Sequence, residues 1–214
     1  MTFEIPRRQV LRLALGLPAA GLAACNVAVP GQGPPPELYR LTPKSTFRDD
    51  LPRVDWQLVL DAPIANAGID TTRIALQRAP LQIEYYARAQ WSDRAPQMIQ
   101  TLMIESFENS DRIVAVGRDV VSLRADFVLK TELREFQAEY FNGGAPRGHI
   151  NLAARLVQMP RRAIIGSASF EAKEPASGDS IPAVISAFDE SLGKVLRRLV
   201  EWTLVTGDAA HRKS

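Results

Sequence analysis

The sequence has very few of the residues on which metal and disulfide sites depend. Its 214 residues include one cysteine, Cys25, and two histidines. One cysteine excludes a disulfide within the chain, because a disulfide needs two. His149 lies beside a glycine in a predicted turn and His211 lies in a polar C-terminal tail, so neither has partners at the spacing of a zinc site. We therefore expect no metal site and no cofactor.

Familiar catalytic motifs are missing as well. The chain has no Gly-x-Ser-x-Gly, no glycine loop for phosphate and no His-Glu-x-x-His. Ser167 and Ser169 flank one alanine in a predicted strand, where close packing explains small residues better than nucleophilic chemistry. Three acidic residues would form a carboxylate pair only through folding and are otherwise solvated strand residues: Asp61, Glu84 and Glu171. The sequence predicts a protein that is not an enzyme.

The predicted mature chain also lacks an excess of charge of either sign. The full sequence has 26 basic and 24 acidic residues. Three of the basic residues and one of the acidic residues lie in the first 24 positions, which leaves 23 of each. Binding of nucleic acid depends on clustered lysine and arginine. The charge balance therefore does not indicate a nucleic-acid partner.

The first 25 residues have the organisation of an export signal. A basic head with Arg7, Arg8 and Arg12 precedes an apolar run of 12 residues, 13–24, that stops at Cys25. A membrane-spanning helix needs about 20 apolar residues, whereas a signal peptide combines a basic head with a short apolar segment and small residues. We assign residues 1–24 to a signal peptide. The alternative is an uncleaved N-terminal helix with a chance cysteine.

The end of this segment, Leu22-Ala23-Ala24-Cys25, resembles the bacterial lipobox. In a lipobox the cysteine is lipidated, for example with palmitate, and becomes the first residue of the mature protein. We therefore expect Cys25 to be the lipid attachment site. Arg7 and Arg8 also resemble a twin-arginine export signal, but paired arginines occur in ordinary secretory signals, so both export routes stay open.

A proline-rich segment follows the cysteine. Residues 26–37 contain four prolines and two glycines with almost no large apolar group, which predicts an extended tether rather than a folded element. Residues 25–37 thus form the lipidated cysteine and its tether. Asn26, rather than an aspartate, follows the cysteine and favours the outer over the inner membrane as the site of the anchor.

The patterning of residues 38–206 predicts one α+β domain. Alternating apolar residues indicate strands at 38–41, 54–62, 73–78, 81–91, 126–141, 150–156 and 163–172, and the apolar run 113–116 indicates a short buried strand. Helical spacing indicates one helix over 95–109, with Ser92 and Asp93 available to cap its start, and another from Ile181 to about Val205, with Ser180 and Pro182 marking its start. We expect Gly207 to end the last helix and residues 207–214 to be a polar tail. The order of elements favours a largely antiparallel sheet with two helices packed on one face, in a single domain.

Two details of this prediction bear on packing and partners. A change of parity near Arg134 and Glu135 indicates a bulge in the long strand. The tryptophans are expected in the core, the alternative being an apolar groove for an acyl chain or a partner segment.

Two stretches of the chain are candidates for contact with a partner. We expect the strand 54–62 to be an exposed edge that accepts another strand, and residues 38–41 are candidates for docking on a neighbouring subunit.

Several stretches, taken in order along the chain, carry a family resemblance. They are the lipobox at Cys25, the tether followed by Tyr39-Arg40-Leu41, the run 81–91 ending at Trp91, the helix from Pro96, the strand from Leu129 to Phe136, and the Ser169-Phe170 strand before a long helix ending near Trp202. Together they resemble the ABC-type transport auxiliary lipoproteins of the paraquat-inducible protein C type. The resemblance covers almost the whole of the mature chain.

The resemblance implies a lipid-anchored periplasmic α/β domain that works beside an ABC permease, its ATPase and a membrane-anchored protein with mammalian-cell-entry domains. Such systems move phospholipid or other hydrophobic molecules between membranes. The family offers no catalytic residues, and only Cys25 carries over with a role. The expected function is a non-catalytic docking or tethering component, compatible with a homo-oligomer. The alternatives are a structural outer-membrane lipoprotein of another envelope machine and a lipid-anchored periplasmic hydrolase.

Overall fold

A computed structural model describes residues 35–118, 125–141 and 143–213. The predicted signal peptide, the lipobox Leu22–Cys25 and the arginine pair Arg7 and Arg8 lie outside these residues. Among the described residues, no helix combines the length and the apolar character that crossing a membrane requires.

Nine strands and two helices make up the described part of the chain. They are β1 (Glu37–Tyr39), β2 (Val54–Leu60), β3 (Ile64–Ala65), β4 (Arg73–Ala79), β5 (Gln82–Trp91), α1 (Ala95–Glu108), β6 (Ile113–Gly117), β7 (Phe127–Glu139), β8 (Arg147–Gln158), β9 (Ala163–Pro175) and α2 (Ile181–His211).

All nine strands belong to one sheet, and β7 is its centre. On one side β8 runs antiparallel along the whole of β7, and β9 runs antiparallel along β8. On the other side three shorter strands meet β7 one after another, all parallel to it: β2, then β3, then β4. β6 lies beyond β2, while β5 and β1 lie beyond β4. The sheet therefore forks at β7, with one branch formed by β2 and β6 and the other by β4, β5 and β1.

The α+β class is confirmed, and the sheet is mixed. Most of its paired residues belong to the antiparallel ladders β4–β5, β7–β8 and β8–β9. The other strand pairings are parallel, which the sequence did not indicate because alternation reports burial and not strand direction. β2 lies between β6 and β7, so the prediction that it forms an exposed edge is wrong. β1 pairs with β5 of its own sheet.

The predicted bulge in β7 is confirmed. The register between β7 and β8 slips between Leu133 and Glu135. Because side chains alternate along a strand, one extra residue moves the later positions to the opposite face. The slip lets both Leu133 and Phe136 reach the core, where each is almost fully buried.

Both helices contribute to one hydrophobic core and contact each other. Trp56 and Trp91 are buried, and the Trp91 ring packs edge-on against Phe188 of α2 with ring centroids 5.2 Å apart. The core position expected for these tryptophans is confirmed. Ser180 caps α2 as predicted by accepting a hydrogen bond from the Ala183 amide.

Three local predictions differ from the structure. α1 begins after Arg94 with no side-chain cap, and the carboxylate of Asp93 instead accepts a hydrogen bond from the amide of Arg94. β6 was expected to be buried, yet it lies at an edge and Val114 is 74% exposed. Finally, α2 continues past Gly207 to His211. Gly207 is needed for close packing against Trp56 rather than for ending the helix.

Candidate functional site

Side chains that alternate with the core residues of β7, β8 and β9 form a second, polar face of the sheet. We call this the outer sheet face and define it by Lys130, Arg134, Arg155, Ser167 and Ser169, all of them exposed. Together with the exposed Ile64 of β3 they line a groove of about 500 Å³. Its lining combines small side chains with basic ones.

Acidic neighbours partly neutralise the basic residues of the outer sheet face. Lys130 pairs with Asp61 at 2.6 Å and Arg134 pairs with Glu132 at 3.1 Å. Arg155, in contrast, has no ion-pair partner among the described residues. Both ion pairs are exposed and contribute at most about 1 kcal/mol each to stability. The groove therefore has a small positive excess and suits polar or weakly acidic surfaces.

Beside the groove, a buried histidine lies between two glutamates. Nδ1 of His149 faces the carboxylate of Glu139, and Nε2 is 2.9 Å from Oε1 of Glu171. Gln137 and Lys173 complete what we call the polar cluster, since the Lys173 ammonium is 3.4 Å from Glu139 and 3.6 Å from Glu171. His149 is only 5% exposed and Glu139 is 8% exposed.

The sequence does not predict this cluster. Its local pattern indicates a turn without partners for His149 and a solvated strand position for Glu171. In the structure His149 belongs to β8, and pairing with β7 and β9 brings Glu139 and Glu171 to it from both sides. The signal in the sequence is alternation: Gln137 and Glu139 are polar residues two apart after the bulge, and Glu171 and Lys173 repeat that pattern in β9.

The polar cluster joins strands and does not resemble a hydrolytic site. Each ring nitrogen of His149 lies within hydrogen-bond distance of one carboxylate, Nδ1 of Glu139 and Nε2 of Glu171, so the ring links β7 to β9. Within the described part of the chain, the hydrogen-bond partners of His149 carry no hydroxyl or thiol. Ser169, on the same face, donates instead to Oδ1 of Asn151 at 2.9 Å. The described residues also contain no group of three or more side chains arranged to hold a metal ion.

A second concave region lies between the chain after β1 and the first half of α2. This cleft has a volume of about 410 Å³ and is lined by Thr42, Lys44, Asp189, Lys194 and Arg197 among others. The amide and hydroxyl of Thr42 donate to the Asp189 carboxylate at 2.7 and 2.9 Å and hold the two segments together. A hydrogen bond to Glu174 raises the pKa of Lys194. The cleft is therefore bounded by ion pairs, and we assign it no ligand.

Three aromatic side chains, those of Trp202, Tyr86 and Tyr140, are partly buried and pack against the core. Trp202 is half-buried, with its ring 5.8 Å from that of Phe170. The hydroxyls of Tyr86 and Tyr140 form a hydrogen bond of 2.8 Å between β5 and the end of β7. Burial, together with this bond, raises the pKa of Tyr86. The described residues show these aromatics packed against the domain itself.

Comparison with known proteins identifies relatives of the whole domain. The family model for the ABC-type transport auxiliary lipoprotein component matches residues 39–200. An uncharacterized protein of Bradyrhizobium diazoefficiens, bll6063, is 29% identical over 149 residues, which are 69% of this chain and 39% of that protein. The chain thus spans about two fifths of that relative's length.

Solved structures share the fold. The crystal structure of XCC0632 from Xanthomonas campestris, assigned to the family DUF330, is 31% identical with a TM-score of 0.78, covering 82% of this chain and 99% of that one. A crystal structure of an uncharacterized protein, 14% identical, has a TM-score of 0.54 and covers 84% and 99% of the two chains. The second likeness concerns the fold alone.

Proposed function

Because the chain belongs to the family of ABC-type transport auxiliary lipoprotein components, we propose that it is a lipid-anchored, non-catalytic docking or tethering component of an ABC-type transport system. The cargo we propose is phospholipid or another hydrophobic molecule moved between two membranes. The observation that carries this proposal is the match of the family model to residues 39–200, almost the whole described domain.

The N-terminal sequence supports the anchored location. We propose that residues 1–24 are removed, that Cys25 carries the lipid, and that the segment 25–37 tethers the domain to the periplasmic face of a membrane. Asn26 after the cysteine favours the outer membrane. The partners in this arrangement are a permease, its ATPase and a protein with mammalian-cell-entry domains.

The chemistry of the described domain supports a role without catalysis. Its buried histidine is held by two carboxylates, with no hydroxyl or thiol among its described partners. A hydrolase with a serine or cysteine nucleophile would need such a group in contact with the histidine. The two grooves are lined by a mixture of charged, polar and small side chains, as suits contact with another protein.

Co-purification tests the proposal directly. A C-terminally tagged full-length chain is produced at native level and extracted from membranes in mild detergent. We expect the permease, the ATPase and the mammalian-cell-entry protein to elute with it, and deletion of the gene to disturb the lipid balance of the envelope. Recovery with none of these partners, together with unchanged envelope lipids, would contradict the proposal.

The same co-purification also distinguishes the transport role from the alternative of a structural lipoprotein. A structural lipoprotein of another envelope machine would still be membrane-bound but would elute with the components of that machine. Genes for a permease, an ATPase and a mammalian-cell-entry protein beside this gene would favour the transport role.

A further inference from the structure

Two neighbouring turns at one end of the sheet expose apolar side chains. Leu81, in the turn between β4 and β5, is fully exposed, and Ile83 and Phe141 are each 42% exposed. The turns lie side by side because β4 runs parallel to β7 and ends level with it, with Gln77 paired to Glu139. We call this end of the domain the apolar tip and define it by five exposed residues: Pro80, Leu81, Ile83, Phe141 and Ala145.

The apolar tip differs in charge from the opposite end of the sheet. Residues 79–83 are Ala-Pro-Leu-Gln-Ile and residues 143–146 are Gly-Gly-Ala-Pro, with no charged side chain. The turn between β8 and β9, at the other end, carries Arg161 and Arg162, both exposed. Exposed apolar patches mark contacts with membranes or with other proteins. Uncharged turns can also enter lipid without the cost of removing water from a charge.

The chain enters the domain from the side of the apolar tip. β1 runs parallel to β5, with Glu37 beside Ala89 and Tyr39 beside Trp91. The residues just before Glu37 therefore arrive from the direction in which β5 begins, at Gln82. The seven residues from Gln82 to Ala89 correspond to at most about 23 Å of strand. The apolar tip thus points towards the segment that carries the proposed anchor.

The length of the predicted tether keeps the apolar tip within reach of the membrane. Glu37 follows Cys25 by 12 residues, which span at most about 43 Å when fully extended. This length exceeds the distance of about 23 Å between Ala89 and the start of β5, so the tip can touch the surface without strain in the tether. A tether also raises the effective concentration of the tip at the bilayer, so that a few apolar side chains are enough for contact.

We infer that the apolar tip inserts into the surface of the membrane to which Cys25 anchors the chain. This inference rests on the proposed lipid anchor. Leu81 and Phe141 enter the boundary between headgroups and acyl chains. Behind them Tyr86 and Tyr140, whose hydroxyls form a hydrogen bond of 2.8 Å, lie at the level of the headgroups, where tyrosine is common. A lipid anchor and a second contact together hold a protein more firmly than either alone, and here they also fix which end of the domain faces the bilayer.

Fluorescence quenching in vesicles tests the inference with the full-length lipidated chain. The purified chain is reconstituted into vesicles of phosphatidylethanolamine and phosphatidylglycerol, with or without a quencher on the acyl chains. Leu81→Cys carries a thiol-linked fluorophore on the apolar tip. Ile164→Cys, at an exposed isoleucine near the opposite end of the sheet, is the matched control. Lipid blocks the thiol of Cys25, so only the introduced cysteine takes up label. We expect at least about threefold more quenching at position 81 than at position 164.

A label beside the tip shows whether the native leucine, rather than the fluorophore, enters the lipid. Ala145→Cys carries the fluorophore while Leu81 stays intact, and we expect it to be quenched more than the label at position 164. Adding Leu81→Gln should lower the quenching at position 145 to that control level. Val114→Gln, at an exposed valine of β6, should leave it unchanged. Thermal unfolding of each variant checks that the fold is retained, since both glutamines replace exposed side chains.

Each other outcome overturns the inference. Equal quenching at positions 81 and 164 in vesicle-bound chains shows that the tip does not face the bilayer, and leaves a protein as its partner. Quenching at position 145 that is insensitive to Leu81→Gln shows that the leucine does not enter the lipid. A parent chain that takes up label, or that does not float with the vesicles, lacks the lipid and overturns the proposed anchor as well. The vesicles contain no transport partner, so this test is independent of the co-purification above.

Discussion

The indole of Trp56 occupies the space that a side chain at Gly207 would need. A Cβ built on Gly207 would lie 2.6 Å from Cζ2 of Trp56. This contact joins β2 to the last turns of α2, and the absence of a side chain at position 207 allows it. A glycine in a helix interior lowers the stability of the helix by about 1 kcal/mol relative to alanine. At position 207 the glycine leaves room for the buried side chain of Trp56.

Gly207→Ala should therefore destabilise the domain although alanine is the better helix former. Overpacking costs about 1–3 kcal/mol and the gain in helix propensity is about 1 kcal/mol, so we expect a net loss of up to about 2 kcal/mol in urea denaturation. Gly193→Ala in the same helix is the control. Its Cβ would meet only the Lys44 side chain at 3.9 Å, so it should gain about 0.5–1 kcal/mol. Equal effects at the two positions would refute the packing argument.

Removal of His149 should leave a buried carboxylate without its partner. Glu139 is 8% exposed, and in His149→Ala it keeps its contact with Lys173 at 3.4 Å but loses its contact with the imidazole. Breaking a buried pair in this way costs about 2–4 kcal/mol in the free energy of unfolding. His211→Ala is the control, since that ring is exposed at the end of α2 and should change stability by less than about 0.5 kcal/mol. Both effects are measured by chemical denaturation, and a small loss at His149 would show that the cluster relaxes freely.

Ser191→Ala tests a hydrogen bond that fastens α2 to the sheet. The hydroxyl donates to the Gly148 oxygen at 2.6 Å and accepts from the Glu174 amide at 3.1 Å. The substitution removes both hydrogen bonds of the hydroxyl, while Gly148 and Glu174 stay opposite each other in the β8–β9 ladder, and it should cost about 0.5–1.5 kcal/mol. Ser186→Ala removes an exposed hydroxyl from the same helix and should be neutral or slightly stabilising. Amide hydrogen exchange at Glu174 should rise in Ser191→Ala alone.

Tyr86 should make the domain less stable at high pH. Its pKa is raised in the folded state by burial and by the hydrogen bond with Tyr140, so the folded protein holds the phenolic proton more tightly than the unfolded chain. The stabilisation is complete below the ordinary pKa of about 10 and is lost as pH rises above it. The slope is at most about 1.4 kcal/mol per pH unit, reduced by solvent at the partly exposed ring.

Denaturation between pH 9 and about 11.5 measures this slope, and Tyr86→Phe should flatten it. Arginine keeps its proton throughout this range, so the basic residues near the ring do not imitate the effect. Parallel slopes for the two proteins would show that Tyr86 ionises as readily in the folded domain as in the unfolded chain.

Cys25→Ala tests the anchor that the N-terminal sequence predicts. Without the thiol there is no lipid attachment, so the domain should be released as a soluble protein or remain uncleaved at its signal. Fractionation and mass spectrometry of the N-terminus distinguish these results. Ser45→Ala, a substitution in the described domain, is the control for losses of protein during fractionation. Membrane association that persists after correct processing would refute the lipoprotein assignment.

Most of the strands and helices could be predicted from the local pattern of apolar residues. Burial of one face makes apolar residues recur at the period of a strand or of a helix. The parity change at Arg134 and Glu135 located the bulge, and Ser180 located the start of α2. The direction and order of the parallel strands were beyond reach, because the parallel neighbours of β7 come from distant parts of the chain. The same limit hid the partners of His149, which only the pairing of three strands brings together.

Gly207 shows a different limit. A glycine near the end of an apolar stripe is the usual sign of a helix end, and the sequence does not show that a tryptophan of β2 lies against it. The tertiary contact with Trp56 decides the matter. The family, by contrast, could be recognised from the sequence alone. Each of its motifs is weak by itself, but together they occur in the order and spacing of the family's strands and helices.

The fork of the sheet at β7 has a consequence for how the chain assembles. The meander of β7, β8 and β9 joins neighbours in sequence, so each ladder closes a short loop. Pairs such as Leu60 with Leu129 and Leu76 with Ala138 instead close long loops. The chain loses the entropy of closing such a loop before the new contacts can stabilise it. We therefore expect the C-terminal meander to form early and to serve as the template on which the N-terminal strands dock. The half of the domain nearest the predicted anchor would then be the last to become ordered.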